Sequence, residues 1–189
     1  MRQIIKRITA GLLTAAFLVS SMSGAANYAA AATISNSEDD NAVTVRNEYV
    51  ELSLNKKNAG YVIKTIEGDV LTKTDNNKPL NYRGGEGDTS FATLRINGKN
   101  YIYGNTKNGG RFITEPYIDA DRIISTWVQD DICVTQTLTV LNDSQDEKLG
   151  AVKIDYTIWN TNDASEGEAG NVNVGARLVL DSQLGAQDY

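Results

Sequence analysis

Hydrophobic and polar residues alternate along three segments in the second half of the chain. The segments cover residues 132–140, 152–158 and 172–180, and their even-numbered positions are mostly apolar. A period of two is typical of β-strands that bury one face and expose the other, as in antiparallel sheets. No stretch after residue 33 has the spacing of an amphipathic helix. The pattern therefore predicts an all-β fold made of antiparallel sheets.

Shorter strand patterns fill the region between residue 42 and these segments. The apolar side chains of residues 43–45 and 50–54 have opposite parities, which predicts a bulge or bend near residues 47–48. Asn97-Gly98 separates two strand patterns and is the strongest hairpin signal in the chain. We expect about eight or nine strands in meander order, which is enough for one antiparallel β-sandwich domain over residues 42–189.

The first 32 residues differ in composition from the rest of the chain. Three cations, Arg2, Lys6 and Arg7, precede an apolar run of about 12 residues, and alanines at 29–32 follow it. A membrane-spanning helix needs about 20 apolar residues. We therefore interpret residues 1–32 as a cleaved signal peptide and residues 33–41 as a disordered linker, and we predict a secreted or cell-surface protein.

Charge and residue types argue against several classes of partner and cofactor. The formal net charge of −6 becomes −9 without the three cations of the leader. Such an acidic body repels phosphate groups and anionic lipid, so we expect no nucleic-acid partner and no membrane insertion after cleavage of the leader. The chain has no His and one Cys, Cys133, which leaves no ligand set for zinc or haem and no internal disulfide. We expect no cofactor.

Calcium is the one metal for which the sequence offers oxygen ligands. Acidic clusters occupy residues 119–121 and 142–147, but neither has the glycine and the distal glutamate of a twelve-residue calcium loop. Asn, Asp and Ser favour turns for backbone reasons alone, which explains both clusters without a metal. A calcium-stabilised module remains an alternative.

The candidate ligand-binding residues are polar or aromatic residues at the outward positions of the last strands. Two long polar connections, residues 68–89 and 160–170, are further places where a ligand could bind. Glycoside hydrolysis needs only two carboxylates, so residue types leave a glycosidase open. A plain solvated sheet face is the alternative, because charged and aromatic pairs also stabilise sheets across strands. We assign no catalytic residue, and the candidates for binding are Asp155, Trp159, Arg177 and Asp181.

Three stretches of the chain resemble a known family. Residues 43–55 read VTVRNEYVELSLN, residues 152–161 read VKIDYTIWNT and residues 174–185 read VGARLVLDSQLG. They resemble strands of galactose-mutarotase-like β-sandwich domains, including those of uncharacterised secreted Firmicute surface proteins. The resemblance implies a supersandwich-like fold and a role related to the cell surface or to carbohydrate. Enzymes of that family use His with an acidic partner, and this chain has no His, so no catalytic residue is carried over.

The chain ends at Tyr189, soon after the last strand pattern, whereas a domain of the resembled kind continues further. We therefore expect the amino-terminal part of a longer protein, with a sandwich that is incomplete at its carboxyl end. The leading hypothesis is a non-catalytic extracellular β-sandwich module that binds a carbohydrate or a cell-wall component. The alternative is an accessory or incomplete domain of a carbohydrate-active enzyme. Convergence of the four candidate residues in one cleft would favour the alternative.

Overall fold

The protein is an all-β molecule made of antiparallel sheets, as the alternating pattern predicted. A computed structural model describes residues 15–18, 33–66, 74, 76–82, 89–141, 150–161 and 172–183. The strands in these residues are β1 (Ala15–Leu18), β2 (Ser35–Glu38), β3 (Ala42–Arg46), β4 (Val50–Asn55), β5 (Tyr61–Thr65), β6 (Phe91–Ile96), β7 (Lys99–Ile102), β8 (Arg111–Asp119), β9 (Arg122–Gln129), β10 (Ile132–Val140), β11 (Ala151–Asn160) and β12 (Val174–Val179).

The strands form three sheets. The five-stranded sheet has the order β1-β11-β10-β9-β8, the four-stranded sheet has the order β2-β3-β4-β5, and the three-stranded sheet has the order β12-β6-β7. The four-stranded sheet follows the chain as the predicted meander does, and so do β8 to β11 of the five-stranded sheet, in which β1 is added beside β11. The third differs, because β12 returns across the molecule to pair with β6, and Val174 lies opposite Ile96. The arrangement is a β-sandwich, with the five-stranded sheet as one layer.

The two smaller sheets are joined by a short segment, residues 78–82, that runs between them. The Leu80 N–H donates to the Ile63 carbonyl at 2.8 Å, and the Gln183 N–H donates to the Leu80 carbonyl at 3.0 Å. The buried side chain of Asn81 adds two bonds to β5, because its Oδ1 accepts from the Ile63 N–H and its Nδ2 donates to the Tyr61 carbonyl, both at 2.7 Å. The Asn81 side chain thus makes the hydrogen bonds to β5 that the backbone of a neighbouring strand would otherwise make. The two smaller sheets thereby form one larger layer that faces the five-stranded sheet.

The core lies between the two layers and is built from the inward positions of both. Tyr103, just after β7, lies at its centre, with its ring 5.8 Å from that of Trp127 and 5.9 Å from that of Tyr156. Burying one large apolar side chain contributes about 1.5–3 kcal/mol, so the buried side chains of the core are together the main source of stability. The largest fully buried side chains include Trp127, Tyr61, Leu52, Leu54, Ile63, Leu94, Ile123, Ile132, Leu138 and Ile154.

Two turns account for local features of the sequence. Asn97 and Gly98 have φ angles of 46° and 84° and form the predicted hairpin turn between β6 and β7. The bulge or bend predicted near residues 47–48 is the turn of the hairpin that joins β3 and β4. The Asn47 side chain closes that turn by accepting from the Tyr49 and Val50 N–H groups at 2.8 and 2.9 Å. Its Nδ2 donates to the Leu141 carbonyl at 3.2 Å, which links the turn to the end of β10. The parity changes there because the chain reverses.

The amino-terminal region differs from the predicted linker. Within residues 33–41, β2 pairs with β3, the Arg46 Nε donates to the Ser35 hydroxyl at 2.9 Å, and Lys56 forms an ion pair with Glu38 at 2.7 Å. All four side chains of β2 are exposed and polar, so the strand carries no hydrophobic alternation that could predict it. Further upstream, β1 lies within the predicted signal peptide and pairs with residues 151–154. The rest of residues 1–32, and residues 184–189, lie outside the described part of the chain.

Candidate binding face on the five-stranded sheet

Asp155 and Trp159 lie on the outer side of the five-stranded sheet. Both are in β11 and alternate with Ile154 and Tyr156, which are buried in the core. The Asp155 Oδ2 is 2.9 Å from the Lys153 Nζ, and the side chains of Asp155 and Lys153 are 17% and 40% exposed. Residues two apart in a strand point to the same side. The Asp155 carboxylate is thus held beside an ammonium group on the outer surface.

Arg177 and Asp181 lie on the other layer. They alternate with Leu178 and Leu180, which pack against the core, so both face outwards from the second layer, and both are exposed. The backbone of Asp181 is engaged in the junction between sheets, because its N–H donates to the Ser90 hydroxyl at 3.2 Å. The structure therefore does not bring the four candidate residues together.

The separation of the two acids bears on catalysis. The carboxyl groups of a glycosidase flank one bond and lie about 5–9.5 Å apart. Packed sheets are themselves about 10 Å apart. Asp155 occupies an outward position of one layer and Asp181 is an exposed residue of the other, so the core lies between them. These two acids do not form a catalytic pair.

The register of β8 to β11 aligns outward side chains in rows across the sheet. One row consists of four threonines: Thr114 lies opposite Thr126, Thr126 opposite Thr135, and Thr135 opposite Thr157. The Oγ1 atoms of Thr126 and Thr135 are 2.8 Å apart and share a hydrogen bond. Thr114 and Thr157 at the two ends are exposed. Thr126 is 8% exposed and Thr135 is partly buried, so the row exposes its hydroxyl groups mainly at the two ends.

A second row contains Cys133 and ends at Trp159. Arg111 lies opposite Val128, Val128 opposite Cys133, and Cys133 opposite Trp159. Cys133 is 3% exposed, which raises the pKa of its thiol, and the positive charge of Arg111 acts in the opposite direction. A thiol that stays protonated is a poor nucleophile. Cys133 lies on the same side as the threonines and behaves as a small apolar residue.

A third row brings an aromatic side chain to the opposite corner. Tyr117 lies opposite Ile124, Ile124 opposite Thr137, and Thr137 opposite Asp155. Tyr117 is 43% exposed. We call these three rows the outer face. Its members are Arg111, Thr114 and Tyr117 of β8, Ile124, Thr126 and Val128 of β9, Cys133, Thr135 and Thr137 of β10, and Asp155, Thr157 and Trp159 of β11.

The dimensions of the outer face follow from sheet geometry. Neighbouring strands are about 4.8 Å apart, and two residues along a strand span about 6.8 Å. Trp159 and Tyr117 are three strands and two rows apart, so their backbone positions are roughly 20 Å apart. Between them lie mostly short side chains. Such a surface can contact an extended ligand with hydroxyl groups along its middle and an aromatic ring near each end.

A polar groove of about 590 Å³ lies on the outer side of the four-stranded sheet. Ser53, Gly60 and Val62 are among its lining residues, and their small size leaves the depression. The Lys64 Nζ lies 2.7 Å from a Glu51 carboxylate oxygen at the wall of the groove, so these two charges neutralise each other. This groove is on the layer opposite the outer face.

The described residues contain no cluster of three or more acidic or cysteine side chains that could hold a metal ion. The acidic cluster at residues 142–147 lies outside them, so the alternative of a calcium-stabilised module is not tested there. The two long connections at 68–89 and 160–170 are also largely outside the described residues.

No family model, curated protein or solved structure matches the chain. The resemblance to galactose-mutarotase-like domains therefore stays a prediction from the sequence. In the described part of the chain, no helix has the length and apolar character needed to cross a membrane.

Proposed function

We propose that this protein is a non-catalytic extracellular β-sandwich module that binds a carbohydrate or another cell-wall component through the outer face. The observation that carries the proposal is the row of four threonines across β8 to β11, with Trp159 and Tyr117 at opposite corners of the same surface.

The chemistry of the outer face fits a polyhydroxylated ligand. A threonine hydroxyl both donates and accepts hydrogen bonds, as a sugar hydroxyl does. Aromatic rings such as those of Trp159 and Tyr117 offer flat apolar area to the C–H faces of sugar rings and keep a polar group at the edge. Asp155 adds an acceptor and Arg111 a donor on the rows that flank the threonines.

The shape of the outer face favours a polymer over a single sugar. A small ligand is usually enclosed in a concave pocket. The outer face is instead the side of a sheet, and its two aromatic side chains are roughly 20 Å apart by strand geometry. A polysaccharide or a cell-wall strand can contact both ends of the outer face at once, so that several weak contacts together raise the affinity.

An extracellular location is supported by the sequence of the leader, with its basic start, short apolar run and alanine-rich end. The alternative, an accessory or incomplete domain of a carbohydrate-active enzyme, would use the same face to hold a substrate. The positions of Asp155 and Asp181 on opposite outer surfaces favour a binding role over a catalytic one.

Co-sedimentation with insoluble peptidoglycan, chitin and cellulose tests this proposal. We expect the chain to bind at least one polymer, and a Thr135→Val, Thr157→Val double variant to bind it several-fold more weakly, because two outer-face hydroxyls are lost at nearly constant volume. The matched control is Thr44→Val, since Thr44 bonds to Ser53 at 3.1 Å in the other layer. Equal binding by the double variant and the control would refute the proposal, as would a lack of binding to all three polymers.

A further inference from the structure

Three polar side chains from the two layers are buried in the core. Tyr61 comes from β5 in one layer, and Gln136 and Tyr156 come from β10 and β11 in the other. Their exposed fractions are 0%, 1% and 6%. Buried polar groups of native proteins are nearly always paired with protein or with ordered water. The hydrogen bonds of this cluster should therefore be complete.

The described residues supply only some of the hydrogen bonds that these three side chains can make. The Gln136 Nε2 donates to the Tyr156 hydroxyl at 2.7 Å, whereas the Tyr61 hydroxyl and the Gln136 Oε1 have no partner among them. Exchanging the oxygen and nitrogen of the amide does not remove the problem, since one amide atom still lacks a partner. A nearby tyrosine shows the contrast. The Tyr103 hydroxyl bonds to the Ser125 carbonyl at 2.9 Å and to the Ser125 hydroxyl at 2.8 Å.

The unpaired groups are complementary. Burial raises the pKa of Tyr61 and of Tyr156, so both phenols stay protonated at neutral pH, and proximity to Tyr156 adds to the shift of Tyr61. Each phenol therefore has a proton to donate. The Tyr156 oxygen already accepts from Gln136, which leaves its own proton free to be donated. Two donors and one acceptor thus lie buried in the core between β5 and the β10–β11 pair.

We propose that this cluster is a binding site for one ordered water molecule, which accepts from the Tyr61 and Tyr156 hydroxyls and donates to the Gln136 Oε1. Buried waters typically make about three hydrogen bonds of this kind. The water links the two layers of the sandwich. It also lies beneath the outer face, because Gln136 is the inward residue between Thr135 and Thr137 of β10.

A crystal structure of the chain at a resolution that shows ordered water tests the site directly. We expect one density peak within hydrogen-bond distance of Tyr61, Tyr156 and Gln136. A dry site would overturn the proposal, as would a direct bond between the Tyr61 hydroxyl and the Gln136 amide.

The change in Tm of the Tyr61→Phe variant is a second test, because its sign distinguishes a bound water from an unpaired hydroxyl. If the water is bound, the variant loses one of its three bonds, and Tm should fall by about 2–8 °C. If the hydroxyl is unpaired, its removal relieves a buried polar group, and Tm should stay constant or rise. Tyr82→Phe is the matched control. Because Tyr82 is 45% exposed, the Tm of this variant should equal that of the unmodified chain. An unchanged or higher Tm for Tyr61→Phe would overturn the proposal. Should that variant fail to fold, the crystal structure of the unmodified chain decides.

Discussion

Replacement of Asn81 by alanine should strongly destabilise the fold, because the Asn81 side chain joins the two smaller sheets. Asn81 is 2% exposed, and its amide makes two hydrogen bonds of 2.7 Å to the backbone of β5. Asn81→Ala leaves the Ile63 N–H and the Tyr61 carbonyl without these partners. An unpaired buried polar group costs about 1–3 kcal/mol. For two groups we expect a loss of about 2–5 kcal/mol, the upper part of the range applying if water cannot enter.

Urea denaturation followed by tryptophan fluorescence measures this loss, because Trp127 is fully buried in the core. The midpoint should fall with little change in the slope if the native fold is retained. Asn36→Ala is the matched control. The Asn36 amide also donates to a backbone carbonyl, that of Ala120 at 3.0 Å, but the contact is exposed. Its loss should cost less than about 0.5 kcal/mol. A loss of less than about 1 kcal/mol in the free energy of unfolding of Asn81→Ala would refute the conclusion that its side chain replaces the hydrogen bonds of a neighbouring strand.

Three further predictions concern the core, the thiol and the turn at Asn47. Stability should fall as pH rises above about 10, because unfolded tyrosines lose protons near pH 10 while burial raises the pKa of Tyr61, Tyr103 and Tyr156 in the folded state. Unfolding curves between pH 8 and pH 11 check this, and a flat profile contradicts it. Native Cys133 should react with iodoacetamide far more slowly than the urea-unfolded chain, and equal rates would show that the thiol is accessible. Asn47→Ala should cost about 1–3 kcal/mol in urea denaturation, since three buried or half-buried hydrogen bonds depend on it, and a cost near zero would contradict that role.

The sequence predicted which side chains face inwards in two of the three alternating segments, whereas in β12 the inward position Ala176 is exposed. In β10 and β11 a strand period of two places Leu138 and Ile154 in the core, and Cys133 and Asp155 on the outer side, without knowledge of the partner strands. Polar strands escaped the same reasoning. Residues 35–38 form β2 through backbone pairing and exposed polar contacts, and no hydrophobic pattern marks them.

Contacts between distant segments could not be predicted from the pattern, because pairing and register are long-range properties. Asp155 and Arg177 both occupy outward positions, yet β11 and β12 belong to different sheets. The threonines of the outer face are visible in the sequence one strand at a time, but their alignment depends on the registers of three strand pairs. Asn81 lies in a polar connection and gave no signal of its role.

The most direct test of the proposed function compares two single variants in one binding measurement. For the cell-wall polymer or polysaccharide bound best by the unmodified chain, we would measure the dissociation constants of Trp159→Ala and Arg177→Ala. Trp159 is on the outer face, whereas Arg177 is an exposed residue of the opposite layer. Loss of an aromatic hot-spot contact costs 2 kcal/mol or more, which is about 30-fold in affinity, and the loss should be smaller for Trp159 because it lies at a corner of the outer face. We predict a loss of at least about 10-fold for Trp159→Ala and no change for Arg177→Ala. Equal affinities, or a larger loss for Arg177→Ala, would contradict binding through the outer face.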